Sequence, residues 1–130
     1  MLTNNLMWSY MAGFFDGEGC VSVVGRAGKL DAYRTLAVQV RFAQKLKTPL
    51  ERMQIFLKGF DIRSRIVTYP SNTASSLDIQ GIGAYRVLQE MLPYLIVKKN
   101  IAQDALRLRK LFPPMQGVRL RWEKVKDADN

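Results

Sequence analysis

The chain has 130 residues, with 20 lysines and arginines against 11 aspartates and glutamates, which gives a formal charge of +9 at neutral pH. A chain of this length buries one apolar core, so we predict a single domain over residues 1–130 that ends in a charged tail over 113–130. The absence of histidine excludes histidine-dependent nucleases and hydrolases, and the single cysteine excludes disulfide frameworks and thiolate zinc sites.

The first predicted element is an apolar helix over residues 5–15, followed by the helix-breaking residues Gly17 and Gly19. It has almost no polar side, and a helix of this kind is buried all round. Because a small domain covers only one side of it, we expect the other side to pack against a second copy of the chain. The residues assigned to this dimer interface are Trp8, Met11, Ala12, Phe15 and Asp16.

Two pairs of strands are predicted next. The first pair covers residues 20–26 and 33–44, where polar and apolar residues alternate with a period of two. The second pair covers 63–69 and 76–80, on either side of turn-forming residues. The alternation predicts an apolar face that covers the core and an open face that is polar and basic.

Helices surround these strands. One is predicted from Thr48 to Lys58, between the two strand pairs. Two more are predicted over 82–91 and 100–112, and no element is assigned to the tail. The predicted fold class is therefore α+β with the order αββαββα.

Two carboxylates, Asp16 and Glu18, lie just beyond the end of the first predicted helix. The helix dipole disfavours negative charge at this end. If two such helices pack about a two-fold axis, the carboxylates of both chains converge, and a divalent cation such as Mg²⁺ relieves their repulsion. The alternative is a turn in which these carboxylates accept hydrogen bonds from nearby amides.

The segment YMAGFFDGEG, residues 10–19, resembles the LAGLIDADG motif of homing endonucleases. The resemblance is carried by the small pair Ala12 and Gly13, by two bulky apolar residues and by the ending Asp-Gly-Glu-Gly. The predicted order of elements extends it over nearly the whole chain. Homodimeric members of the family carry one motif per chain, so the resemblance implies a LAGLIDADG helix at a dimer interface and an antiparallel, saddle-shaped sheet that binds DNA.

The resemblance implies a homing endonuclease that hydrolyses both DNA strands at a long pseudo-palindromic site. Glu18 matches the metal-binding acid of the family, and the Gly17 carbonyl matches a further metal contact. Gln44 and Lys98 match polar and basic residues near the scissile phosphate, so the implied catalytic set is Glu18, Gln44 and Lys98. Asp16 matches an acid with a mainly structural role. For Lys98, a solvated lysine before a helix is the alternative.

The implied cofactor is Mg²⁺, with Mn²⁺ or Ca²⁺ as structural substitutes, and no small-molecule cofactor is expected. The chemistry agrees with the composition, because a metal-activated water can replace the missing histidine as the source of a base. The expected partners are double-stranded DNA and a second copy of the chain. No segment is long and apolar enough to span a membrane, and we expect an intracellular protein.

The open strand face supplies candidate DNA contacts. Arginine pairs with guanine and glutamine with adenine in the major groove, and the mixture of side chains on this face favours base reading over phosphate binding alone. The assigned DNA-binding residues are Ser22, Val24, Arg26, Arg34, Thr35, Ala37, Gln39, Arg41, Lys45, Arg63, Arg65, Val67, Asp78 and Gln80. For each of them, an ordinary exposed strand residue is the alternative.

Two other functions are compatible with the sequence. A non-cleaving protein of the same fold, such as an RNA maturase or a repressor, would bind nucleic acid without hydrolysis. A basic structural or ribosome-associated protein would bind DNA without preferring one sequence.

Overall fold

The computed structural model describes residues 3–27, 33–70, 73–111 and 120–121, with the backbone alone for 24–27, 33–36, 109–111 and 120–121. The predicted α+β class is confirmed, because the order αββαββ is followed by two helices and one short strand. The elements are α1 (Asn4–Glu18), β1 (Gly19–Ala27), β2 (Tyr33–Gln44), α2 (Lys47–Lys58), β3 (Arg65–Thr68), β4 (Ser75–Gln80), α3 (Ile82–Met91), a 3₁₀ turn (Leu92–Tyr94), α4 (Lys99–Leu111) and β5 (Leu120–Arg121).

The first helix, α1, begins at Thr3, whose hydroxyl oxygen accepts a hydrogen bond from the Leu6 N–H at 3.2 Å. It ends at Glu18, three residues later than the sequence predicts, so Gly17 does not break the helix. At 15 residues it is the longest helix in the described part of the chain. None of the helices described is long and apolar enough to cross a membrane.

The four main strands form one antiparallel sheet in the order β1-β2-β4-β3. Residues that lie directly opposite each other share a face. The pairs Val21↔Val40 and Val40↔Ile79 therefore place apolar residues on one face, as the alternation predicts. The short strand β5 pairs with the start of β2 and was not predicted, because two residues carry no periodicity.

The helices cover the apolar face of the sheet and complete a single core. At its centre the rings of Phe15 and Phe42 are 5.5 Å apart in an edge-to-face arrangement, which is favourable for aromatic pairs. The helices α2 and α3 contribute fully buried side chains to the same core, namely Leu50, Met53, Leu57, Ala84, Val87, Leu88 and Met91.

Four residues assigned to the dimer interface lie instead in the core of the single chain. Met11, Ala12 and Phe15 have no exposed surface, and Trp8 is 3% exposed. The Trp8 ring packs edge-on against Phe56 of α2, with 5.0 Å between the ring centroids. This prediction was wrong because a helix that is apolar on every side has no pattern that distinguishes its core side from its outer side.

The junction between α1 and β1 leaves no room for a side chain at Gly19. A Cβ atom there would lie 2.5 Å from Phe15 Cγ and 2.6 Å from Phe15 O. Because Phe15 is fully buried, we expect Gly19→Ala to lower the free energy of unfolding by about 1–3 kcal/mol. Urea denaturation measures this change. Gly59→Ala is the control, since its Cβ would meet only Phe56 O at 3.3 Å, and equal losses for both variants would contradict the prediction.

Candidate functional site

The end of α1 is bonded to the loop between the 3₁₀ turn and α4. The Asp16 carboxylate accepts hydrogen bonds from the backbone N–H groups of Ile96 and Lys98, each at 2.9 Å. The Lys98 ammonium group donates to Phe15 O at 3.0 Å and to Gly19 O. Phe15 O also accepts the Gly19 N–H, so the ammonium group adds a second bond there, and it places a positive charge where the helix dipole is negative.

Asp16 is a structural acid in this arrangement. Burial acts to raise its pKa, but the N–H groups of Ile96, Lys98 and Val97, together with the Lys98 charge, bring the pKa below its ordinary value of 3.8. The alternative of a carboxylate bonded to amides therefore holds for Asp16. Its assignment to the dimer interface stays a prediction, since Asp16 is only half-buried and its carboxylate is already bonded within its own chain.

Glu18, in the same last turn, has a different environment. Its side chain is exposed and makes no hydrogen bond or ion pair with any described residue. The Gly17 carbonyl also lies in the last turn, where carbonyl groups have no partner within the helix. Carboxylate and carbonyl oxygens are the ligands that Mg²⁺ prefers, so the available donors suit a divalent cation.

One chain supplies only part of such a cation site. In the described ranges, no three acidic or thiol side chains converge closely enough to hold a metal ion. Glu18 is the free acid at the end of α1, since the Asp16 carboxylate already accepts two amide hydrogen bonds. A complete set of ligands would need oxygen atoms from outside this chain, such as water, phosphate or a second Glu18.

The strand register brings Gln44 to the same end of the sheet. Gln44 ends β2, two residues beyond Phe42, which lies opposite Gly19. Its side chain is half-buried, and its Oε1 accepts a hydrogen bond from the N–H of the exposed Lys45 at 2.9 Å. Glu18, Lys98 and Gln44 are therefore all found where α1 meets the sheet. The alternative of a solvated lysine does not hold for Lys98, whose ammonium group is bonded to two carbonyl oxygens.

The polar residues assigned to DNA binding share one face of the sheet, opposite the core. The register pairs Ser22 with Gln39 and Gln39 with Gln80. It also aligns Val24↔Ala37, Arg26↔Thr35, Arg41↔Asp78, Arg65↔Asp78 and Val67↔Ser76. Arg34 is an exception, because its partner Ala27 has the parity of the core face, and Arg63 and Lys45 lie just outside the strands. The side chains of Val24, Arg26, Arg34 and Thr35 lie outside the part that the structure describes.

Two of these residues are less accessible than the sequence predicts. Asp78 is 5% exposed and Gln39 is 8% exposed, whereas Ser22, Arg63, Arg65 and Gln80 are exposed. Asp78 lies on β4 between β2 and β3, directly opposite Arg41 and Arg65. Its assignment as a direct DNA contact is therefore corrected, because its carboxylate is occupied by Arg41.

The exposed side of α1 is a stripe formed by Leu6, Tyr10, Gly13 and Gly17. Their spacing of four, three and four residues places them on one side of the helix. Leu6 is 53% and Tyr10 47% exposed, and a Cβ atom at Gly13 or Gly17 would have nothing within 4 Å. The predicted interface did not include this stripe, because an all-apolar helix gives no pattern that separates its outer side from its core side.

Residues 5–93 match the family model of the LAGLIDADG-like domain. The chain belongs to the LAGLIDADG family. This match contains α1 with its motif, the four main strands and α3, so it includes Glu18 and Gln44 but ends before Lys98. No curated protein sequence matches the chain.

Solved structures of LAGLIDADG homing endonucleases have the same fold. I-CvuI, crystallised with a DNA target in the presence of Mg²⁺, aligns with a TM-score of 0.73 and 20% identity over 95% of this chain and 75% of its own. The archaeal intron-encoded I-Vdi141I, in complex with DNA, aligns with a TM-score of 0.60 and 17% identity over 98% of this chain and 99% of its own. The intron-encoded I-CeuI, also in complex with DNA, aligns with a TM-score of 0.63 and 15% identity over 86% of this chain and 57% of its own.

The depressed pKa of Asp16 predicts a pH-dependent stability. Ionised Asp16 stabilises the fold above pH 3.8, and this contribution is lost as the pH falls toward the lower folded-state pKa. We expect Asp16→Asn to unfold at lower urea concentration than the wild type at pH 7, with a difference that shrinks below pH 3.8. Urea titrations over a pH series measure this difference. Asp61→Asn, at an exposed carboxylate, is the control and should not show this pH-dependent difference. A loss of stability for Asp16→Asn that does not change with pH would contradict the structural role of the ionised Asp16 carboxylate.

Proposed function

We propose that the chain is a homodimeric, divalent-metal-dependent homing endonuclease that cuts both strands of a long pseudo-palindromic DNA site. The observation that carries this proposal is the environment of Glu18. At the end of α1, the Asp16 carboxylate and the Lys98 ammonium group have partners within the chain. The Glu18 carboxylate is exposed and has none among the described residues. A free acid held at the end of a rigid helix beside a basic sheet is suited to a metal ion and a phosphate.

The exposed stripe of α1 supports a dimer. A second copy packed on Leu6 and Tyr10 would bury apolar surface that one chain leaves in contact with water. Gly13 and Gly17 would let the two helix backbones approach closely, because neither carries a side chain that separates them. Such packing about a two-fold axis would bring Glu18 of each chain to one shared seam and add the ligand that a single chain lacks.

The dimensions of the sheet support a long DNA site. The strand β2 has 12 residues, which corresponds to a length of about 40 Å at the usual rise of an extended chain. This is close to the length of about 12 base pairs of duplex DNA. A dimer that lays two such sheets along the major groove would contact two half-sites in opposite orientations, which is the symmetry of a palindrome.

The residues at the junction would have separate roles in hydrolysis. A divalent cation bound by Glu18 and the Gly17 carbonyl would supply an activated water and screen the phosphate charge. Lys98 is bonded to the carbonyl groups of Phe15 and Gly19; it would keep Glu18 in position and add positive charge near a bound phosphate. Gln44 would orient solvent near the scissile bond through its side-chain amide.

Replacing the free acid tests the proposed cleavage. With DNA duplexes selected by the wild-type protein from a randomised library, we expect Glu18→Gln to reduce Mg²⁺-dependent double-strand cleavage about 1,000-fold, because the proposed metal ligand is lost. DNA binding in a gel-shift assay should persist, and removing metal with a chelator should also stop wild-type cleavage. Glu90→Gln removes the same charge from the exposed side of α3 and should cleave normally.

The alternative function gives a different result in the same assay. A non-cleaving nucleic-acid-binding protein of this fold would bind the selected DNA and break no strand in the presence of Mg²⁺. That outcome would contradict the proposed endonuclease, whatever the behaviour of Glu18→Gln.

A bulky side chain on the exposed stripe tests the dimer. A Cβ atom at Gly13 meets nothing within 4 Å in one chain, so Gly13→Leu should leave the fold intact. We expect it to weaken dimerisation at least about tenfold, because the added side chain separates the two helices. Sedimentation equilibrium measures the change, with circular dichroism as the check on folding. Gln89→Leu, at an exposed position of α3, is the control, and a monomeric wild type at micromolar concentration would contradict the proposal.

A further inference from the structure

One carboxylate on the open face lies between two arginines. Asp78 of β4 is directly opposite Arg41 of β2 and directly opposite Arg65 of β3. Among the described residues it pairs only with Arg41, accepting hydrogen bonds from Nε at 2.9 Å and from Nη2 at 3.2 Å. Arg65 is exposed and has no hydrogen bond or ion pair with any residue in the described ranges.

The bidentate pair fixes the orientation of the Arg41 guanidinium group. The Nε–Nη2 edge faces the Asp78 carboxylate, so the outer edge keeps one N–H of Nη1 and one N–H of Nη2 that point in parallel. The Arg41 side chain is 41% exposed, whereas that of Asp78 is 3% exposed. The free edge is therefore open to a ligand on the polar face, while its support is buried. The hydrogen bond to Asp78 also raises the pKa of Arg41 despite partial burial, which keeps the group charged.

We propose that Arg41 and Asp78 form a guanine-reading pair. Two parallel N–H donors match the O6 and N7 acceptors that guanine presents in the major groove. Asp78 acts as a positioning residue that holds the donors in place before DNA binds, which lowers the entropy lost on binding. This inference rests on the proposed DNA binding by the open face of the sheet.

The register also assigns the guanine a position. Arg41 lies opposite Cys20, next to the Gly19↔Phe42 pair at the end of α1. The other end of β2, near Thr35 and Arg26, is about 20 Å farther along the strand. The guanine read by Arg41 therefore lies in the inner part of each half-site, beside the proposed cleavage centre, rather than at its outer end.

The charge of the pair separates base reading from phosphate binding. Arg41 and Asp78 together are neutral, so they add little to the salt-dependent affinity for any DNA. Arg65 is unpaired among the described residues and adds a positive charge that can contact phosphate. Removing the Asp78 charge should thus weaken selectivity and strengthen non-specific binding, two effects of opposite direction.

Asp78→Asn tests both effects, because it keeps the size of the side chain and removes its charge. Selection from a library of duplexes with a randomised central segment, followed by competition binding, measures base preference at each position. We expect the preference for guanine at one inner position of each half-site to fall about tenfold. Affinity for unrelated DNA should rise, with a steeper dependence on salt. Asp104→Asn removes the same charge from the exposed ion pair with Arg107 on α4 and should not change base preference.

Arg41→Lys is the second variant, and it keeps Asp78 opposite a cation while removing the planar fork. It should lose the same guanine preference without a gain in non-specific affinity, and thermal unfolding checks that both variants are folded. Loss of this preference in both variants supports the proposal. A preference that survives Asp78→Asn or Arg41→Lys overturns the proposal while leaving the proposed endonuclease intact. A wild-type protein that selects no sequence overturns both.

Discussion

The hydrogen bonds between the last turn of α1 and the loop at residues 96–98 determine the position of the candidate site. Two carboxylates at the negative end of a helix dipole are unfavourable by themselves. The backbone amides that bind Asp16 and the Lys98 ammonium group that binds Phe15 O and Gly19 O compensate for them. Because of these bonds the helix continues to Glu18, and β1 begins at the next residue. The helix, the sheet and the loop are thereby joined at one point.

Residues of the same type have different roles at this site because only one member of each pair has a partner. Asp16 is bonded and structural, whereas Glu18, two residues later, is exposed and without a partner among the described residues. On the sheet, Arg41 is oriented by Asp78, whereas Arg65 on the other side of Asp78 has no such bond. A bonded charged group supplies fixed geometry, and an unbonded one is available to a ligand. The proposed metal site uses the bonded Asp16 to fix the helix end and the unbonded Glu18 as ligand, whereas the proposed base reading uses the bonded Arg41 and leaves Arg65 for phosphate.

The helix α1 has two apolar sides with two different environments. Its inner side, with Met11 and Phe15, is part of the core and could not be exchanged for an interface without exposing the centre of the domain. Its outer side combines the exposed Leu6 and Tyr10 with two glycines that leave open space. A helix that is apolar all round in a chain this small therefore supports both a core and the proposed dimer, with separate residues for each.

Local sequence patterns were sufficient to predict most of the secondary structure. The alternation along β2 and the motif at residues 10–19 depend on neighbouring residues, and such patterns follow from the geometry of strands and helices. They predicted the order of elements, the sharing of one face by the polar strand residues, and the location of Glu18 at the end of α1.

Only the tertiary structure decided which of these residues are buried, bonded or free. Lys98 and Phe15 are 83 residues apart, and Asp78 and Arg41 are 37 apart. Whether such residues meet depends on the order of strands in the sheet and on how the helices pack against it, and neither is encoded in the spacing of nearby residues. The buried side of α1, the burial of Asp78 between two strands and the different environments of Asp16 and Glu18 all follow from that packing.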